Sequence, residues 1–525
     1  MQQLARSARI FSSPTVLIVT VWSVLLVVIA IGPIDYSNQP SGAVLAIVVI
    51  GISLFILAQQ AGAWCFRAWF AHRAEDPWPR TDRLSLVVGI SSCAGIAGIG
   101  LIALDRIVLS GVSNSAYAEL LRCAPDLIDI VEIKRTPLLY AGYLLFSFGF
   151  ASVVLFLLKG EQVRGWAAVL AQFSILSPVG YALLYAGRMP ILFVIVLTIA
   201  AVLVRLTQGR RALPGGHHLF VKMIVLVLVF GIYSSAIWAS RRAFCTQMSG
   251  VVRELQHRMQ KREADLAKAR GQPAAASQGA GEKAPATKSQ AYAKQGAVPT
   301  DAVSADDVGK MIVAAGTGPK ASGRDDVKTL LLTMDQAWHT KPRGYVISAI
   351  ESGHFSRGVA VTVLSTYFYL THGVRILDTT WRERDRLSPH WGVYQIGVLS
   401  PILRVFFPQS DELLALKNEL QSAGLHGFFP TVWGAAYLDF GLVGAVIYIL
   451  IWGFAAGWSV SGVRHSVLAT PALLLTFVIA TILLSPVEGP LGIANSALVL
   501  VSIIVAGLAA DLGGRAPKSS VPRPT

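Results

Sequence analysis

Cysteine is scarce in this chain. Only four occur among 525 residues, Cys65, Cys93, Cys123 and Cys245, and no two form a CxxC pair. That removes the spacing used by zinc, haem and iron–sulfur sites, so no metal and no other cofactor is expected. Charged residues are scarce as well. Asp, Glu, Lys and Arg make up 14% of the chain against 54% hydrophobic residues, more apolar material than a soluble core of this size needs. No nucleotide fingerprint such as a P-loop is present. The formal charge of +15 would suit a nucleic-acid binder, but no basic stripe interleaved with aromatics stands on a soluble domain, so nucleic acid is not an expected partner. The apolar run after Ser13 is long enough to span a bilayer and has no small-residue cleavage site near Ile34, so it reads as a first transmembrane helix rather than a signal peptide.

What the chain does have is a series of long apolar runs. A spanning helix needs roughly 20 mostly apolar residues. Such runs lie near 14–32, 43–63, 84–104, 137–158, 165–186, 190–206, 220–239, 430–458, 467–484 and 491–511. The expected fold is an all-α polytopic transmembrane bundle of about ten spans, with the bilayer as its solvent and partner. About seven spans fall in 1–239 and about three in 430–511, followed by a tail at 512–525. Lys and Arg collect on the cytoplasmic side of short connections. Arg67, Arg73, Arg80 and Arg83, then Lys159 and Arg164, then Arg205, Arg210 and Arg211, then Arg464 mark one set of connections, while 33–42 and 485–490 contain neither residue type. Both termini are therefore expected in the cytoplasm and the 240–429 segment outside. Within that segment, 271–325 is rich in Ala, Gly, Lys, Gln, Ser and Pro and is expected to be a disordered insertion, with order resuming near Asp325. The apolar stretch Val359 to Leu370 is too short to span unaided; it is either re-entrant or an added helix that flips all that follows, and parity leaves it out of the count. Of the cysteines, Cys123 and Cys245 fall on expected outer segments, where they are either bridged or simply small apolar residues.

Three groups of residues stand out chemically. Gly187-Arg188-Met189-Pro190 lies between two apolar runs and places a guanidinium at the outer surface, where it is either an interfacial anchor or a ligand for an anion. A second group spans His354 to His390. Arg357 and Arg375 flank the short apolar stretch and suit phosphate through the planar fork of Arg. His354 and His372 are lone histidines, a type that is usually just satisfied in the fold. Arg382, Glu383, Arg384, Asp385 and Arg386 alternate in sign and read as a solvated charged loop. The third group is His426-Gly427-Phe428-Phe429-Pro430-Thr431 followed by Tyr437-Leu438-Asp439-Phe440-Gly441. A carboxylate this early in a span needs a partner or a polar cavity. Gly441 and Gly444 read as allowing close helix packing. His426 and Asp439 would share a face if the region between them were helical.

These residues together resemble the oligosaccharide repeat-unit polymerases of the Wzy type, which extend bacterial surface polysaccharides such as O-antigen. The resemblance lies in Gly-Arg-x-Pro at an outer helix junction, in Tyr367-Phe368-Tyr369-Leu370-Thr371-His372-Gly373, and in Tyr437-Leu438-Asp439-Phe440-Gly441 at the head of a late span. It implies a metal-independent, GT-C-like glycosyltransferase of the inner membrane that joins undecaprenyl-diphosphate-linked glycans at the periplasmic face. A chain-length regulator and a flippase would be its partners. Catalysis would fall to Arg188 and His426 with His372 as a reserve base, and substrate binding to Arg357, Arg375, His354 and Asp439. The related O-antigen ligases carry a similar Arg and a similar His-to-acid pair, but with an Asn after the His that this chain lacks. A transporter of lipid-linked sugar is the alternative of another class. The absence of duplicated halves disfavours it.

Overall fold

The structure is a computed structural model. It describes residues 13–36, 40–70, 81–109, 136–185, 187–214, 340–354, 357–396, 412–425 and 429–512, together with single positions between 221 and 233 and at 331 and 334. His426, Cys123, Cys245 and the 271–325 insertion lie outside the described residues.

The described chain is helical apart from one short ribbon. The elements are α1 (Pro14–Ile31), β1 (Ile34–Tyr36), α2 (Gly42–Phe70), α3 (Thr81–Leu104), α4 (Pro137–Lys159), α5 (Trp166–Phe173), α6 (Leu176–Leu184), α7 (Met189–Thr207), β2 (Thr340–Pro342), α8 (Gly344–Glu351), α9 (Arg357–Arg382), α10 (Glu412–Ser422), α11 (Thr431–His465), α12 (Ala469–Leu484) and α13 (Ser496–Asp511). Pro residues open α1, α4 and α7 in the first turn, where a missing N–H costs nothing. Among the described residues, seven helical stretches are long and apolar enough to cross a membrane, and α12 and α13 are shorter apolar helices. Their outward faces carry large exposed aliphatics such as Val27, Val49, Leu57, Leu144 and Ile451. Water would not tolerate apolar surface on this scale, so the chain is a membrane protein whose helices face lipid.

Lipid supplies no hydrophobic drive between helices, so close backbone approach must hold the bundle together. Where α2 packs on α11, a Cβ added to Gly453 or Gly457 would strike the backbone of Phe55 or Gln59. The contacts Phe55 to Trp452 and Phe66 to Trp458 advance together along both helices, which makes the pair parallel. The α3–α4 pair is antiparallel, because Gly95 meets Gly149 and Gly98 meets Phe146.

Polar contacts then sort the helix ends into two sets. At one end Arg205 is fully buried. It pairs with Glu161 and donates to the carbonyls of Leu157, Leu158 and Arg211 at 2.7–3.0 Å. Lys159 reaches the Val467 carbonyl, the Arg164 N–H reaches Ser85, and Asp511 accepts the N–H groups of Ala469 and Thr470. By helix direction Arg67 and Arg464 end there too. Among the described residues, the basic positions Arg67, Lys159, Arg164, Arg205 and Arg464 of the connections picked out in the sequence are thus gathered at a single end. Pro214 sits at this end against Gly160, whereas the Tyr233 hydroxyl donates to the Ala182 carbonyl at the far end.

The sequence reading needs two corrections here. The stretch Val359 to Leu370 is no short isolated segment but the first half of α9, 26 residues long. Its second half carries Thr, His, Arg and Asp, which hid it from an apolarity count. In addition, α11 begins only at Thr431, with Phe429 and Pro430 non-helical, so His426 and Asp439 do not share one helical face.

Candidate functional site

The end opposite Arg205 gathers most of the sequence candidates, and α9 is its spine. The first half of the helix buries Ala360, Leu364 and Phe368 and exposes Val359, Val363 and Leu370, whereas from Thr371 to Thr380 it is enclosed on all sides, with Arg375 and Thr379 only partly buried. Gly373 lets it touch the rest of the bundle: a Cβ there would strike the Pro486 carbonyl and come within 2.9 Å of Thr431. Asp378 pairs with Arg382 at 2.6 Å and accepts the Ser41 N–H at 3.4 Å. The charged run at 382–386 is exposed and turns in a 3₁₀ helix, as a solvated loop should.

His372 is 2% exposed. Its Nδ1 donates to the Phe368 carbonyl at 2.8 Å, and its ring stacks on Phe368 at 4.8 Å and meets the edge of Tyr369 at 5.9 Å. Burial pushes the imidazole down to about 4, so it is neutral at physiological pH with Nε2 as the basic nitrogen. Arg188, in the connection before α7, places its guanidinium carbon 5.6 Å from the centroid of the Tyr369 ring. Two motifs far apart in sequence therefore meet through one aromatic ring. Arg375 stands two turns further along α9, half-buried near Tyr36, whose hydroxyl is hydrogen-bonded to Thr371 Oγ1. Burial holds the Arg375 guanidinium below its ordinary value, but an arginine still carries its charge.

Asp439 is 0% exposed and accepts the N–H of Tyr394 at 2.8 Å and of Gln395 at 3.1 Å. The N–H groups of His390 and Trp391 donate back to the carbonyls of Leu438 and Asp439. This reciprocal clamp works because α11 breaks at Gly441, with φ 64 and ψ −170, a conformation open to glycine alone. The break corrects the packing role expected for Gly441. Gly444 likewise faces only Phe440 of its own helix. Among the described residues the non-glycine positions with positive φ are Trp391, Thr431 and Asn495, and all three lie at this end. Strained backbone of this kind concentrates at functional sites.

Of the remaining candidates, His354 is not brought in. His354 is exposed, bonded through Nδ1 to Ser352 Oγ at 2.6 Å in the turn after α8. Arg357 opens α9, and its side chain lies outside the described residues.

Sequence reasoning missed two features. Asp105 and Arg106 form a π-helical turn that extends α3, and both are buried. Arg106 Nε donates to the Tyr185 hydroxyl at 3.2 Å, with Tyr143, Tyr181 and Tyr185 packed around it and Asn495 donating to Tyr181 at 2.8 Å. A charged pair closing an apolar run was the available signal. Glu488 is 5% exposed in the loop between α12 and α13, and burial pushes its carboxyl up to about 8. The 485–490 connection had been read only for its lack of Lys and Arg. Among the described residues no group of His, Cys, Asp and Glu is arranged to hold a metal ion.

Compared with protein-family models, with curated proteins and with solved structures, the chain matches none of them.

Proposed function

We propose that this chain is a membrane-embedded oligosaccharide repeat-unit polymerase, a GT-C-like glycosyltransferase of about ten spans that joins undecaprenyl-diphosphate-linked repeat units. The basic Arg205 end would face the cytoplasm under the positive-inside rule, which puts the Arg188–α9 site at the periplasmic face of the inner membrane with both termini cytoplasmic. The observation that carries the reading is the seating of Arg188 on Tyr369 beside His372. It unites two of the motifs behind the family resemblance.

The reaction needs two things from the protein, a stabiliser for the leaving group and a base. The acceptor hydroxyl oxygen bonds to the anomeric carbon of the growing glycan, and the bond from that carbon to the diphosphate oxygen breaks with its electron pair leaving on oxygen. Guanidinium groups already in place stabilise that charge, the role of Arg188, with Arg375 further along α9, the helix that carries Tyr369. The hydroxyl proton goes to a base, the role of His426. His372 is the weaker choice, because a ring held near 4 by burial has little affinity for a proton at neutral pH. It serves instead to fix Tyr369. Asp439 acts through the backbone clamp rather than on substrate.

The decisive experiment incubates the purified protein with undecaprenyl-diphosphate-linked repeat units and resolves the products on a gel. A ladder of oligomers with release of the lipid diphosphate is expected. Substrate returned unchanged by active, folded protein would overturn the reading, and net passage of substrate across a vesicle bilayer without a ladder would make the chain a transporter.

A further inference from the structure

The end of the bundle away from the polymerase site holds a cavity of about 720 Å³. It lies between the C-terminal ends of α4, α7 and α11 and the start of α12, and its lining includes Lys159, Gln208, Arg210, Arg464, Val467 and Leu475. Three of the lining residues are cations and none is acidic. Two acids lie nearby and offset the cations only in part: Glu161 pairs with Arg205 and also attracts Arg210 and Lys159, and Asp511 accepts from Ala469, from Thr470 N–H and from the Thr470 hydroxyl at 2.6–3.0 Å and also attracts Lys159. Lys159 is 1% exposed and Arg210 half-buried, so like charges are held together in a low dielectric, an arrangement that an anion would relieve. The Gln208 Oε1 is buried and has no hydrogen-bond partner. The far wall is apolar.

We propose that this cavity binds a phosphate-bearing anion. Arg210 and Arg464 supply planar forks that match phosphate oxygens, Lys159 supplies a further N–H donor, and the Gln208 Oε1 accepts from a hydroxyl of a protonated phosphate or of a headgroup. The volume fits a small ligand or a lipid headgroup. A headgroup phosphate would lay its acyl chains along Val460, Val463 and Leu475, and a soluble phosphate would use the cations alone. The site is independent of the polymerase reading.

The test follows thermal unfolding of the full-length protein in neutral detergent, titrated separately with inorganic phosphate, phosphatidylglycerol and phosphatidylcholine. Wild-type protein should be stabilised by phosphatidylglycerol and not by phosphatidylcholine if the source is a lipid, and by inorganic phosphate if it is soluble. In Arg464→Gln, altered at an exposed position, the apparent Kd for the effective ligand should rise about tenfold, and Arg210→Gln/Arg464→Gln should lose the stabilisation. No shift with any of the three probes, an equal shift with both lipids, or a shift undiminished in Arg464→Gln would overturn the proposal.

Discussion

The backbone N–H of Tyr394 donates to the buried carboxylate of Asp439 at 2.8 Å, fastening a loop to the broken head of a long helix. Gln395 N–H donates to the second carboxylate oxygen, so both oxygens are in use. Asp439→Asn keeps one acceptor but turns an NH₂ group toward a backbone donor. The loss of one charge-assisted bond plus a buried mismatch should cost about 1–3 kcal/mol, read as a lower unfolding midpoint with faster proteolysis in 390–396. An unchanged midpoint would show that the clamp contributes nothing.

Gly441 makes that clamp possible. At φ 64 and ψ −170 a Cβ is disfavoured whatever the space around it, so Gly441→Ala should destabilise the fold by about 1–3 kcal/mol. Gly100→Ala is the control: its backbone is helical and a Cβ there meets nothing within 4 Å. Equal midpoints for the two variants would remove the conformational argument.

Length and apolarity made the spans legible, because a bilayer asks for little else. Charge made the two ends legible: Arg205, Lys159 and Arg464 do meet at one end. What escaped was whatever depends on the partner rather than the period. α9 was cut short because its second half trades apolar residues for His372, Arg375 and Asp378, which are satisfied by Phe368, the Tyr36 region and Arg382, contacts that no window of sequence displays. Gly441 was read from its spacing to Gly444, but its role is set by backbone angles. Glu488 was invisible because a single acid in a short connection looks solvated until the loop folds inward.

Glu488 also gives the fold a pH dependence of definite sign. Its carboxyl ordinarily titrates at 4.5 and is raised to about 8 by burial, opposed by the Gly489 N–H and reinforced by Asp439. The folded state therefore holds a proton that the unfolded state has already released, and stability falls as pH rises between those values. His372 acts in the opposite direction, from 6.5 down to about 4, so its contribution is complete by about pH 6.5. From about pH 6.5 to 8 the decline belongs to Glu488. Glu488→Gln mimics the protonated acid, and its unfolding midpoint should lose the decline seen in wild type across that window and lie above wild type at pH 8. A wild-type slope retained in the variant would contradict this origin.

Arg188 and Tyr369 test the site itself. A guanidinium over a ring face gains from its planar, delocalised shape, and the same shape lets it grip two phosphate oxygens at once. Arg188→Lys preserves the charge and loses both features, so chain extension should fall on the order of a hundredfold if Arg188 stabilises the departing diphosphate. A simple interfacial anchor would accept lysine with little loss. Tyr369→Phe keeps the ring face and should remain near wild type, whereas Tyr369→Leu should approach the Arg188→Lys defect, since it removes the platform beneath the guanidinium and the edge contact to His372. Rates are measured as ladder formation at matched protein levels, with unfolding midpoints as the check that each variant is folded. Full activity in both Arg188→Lys and Tyr369→Leu would remove the pair from the site.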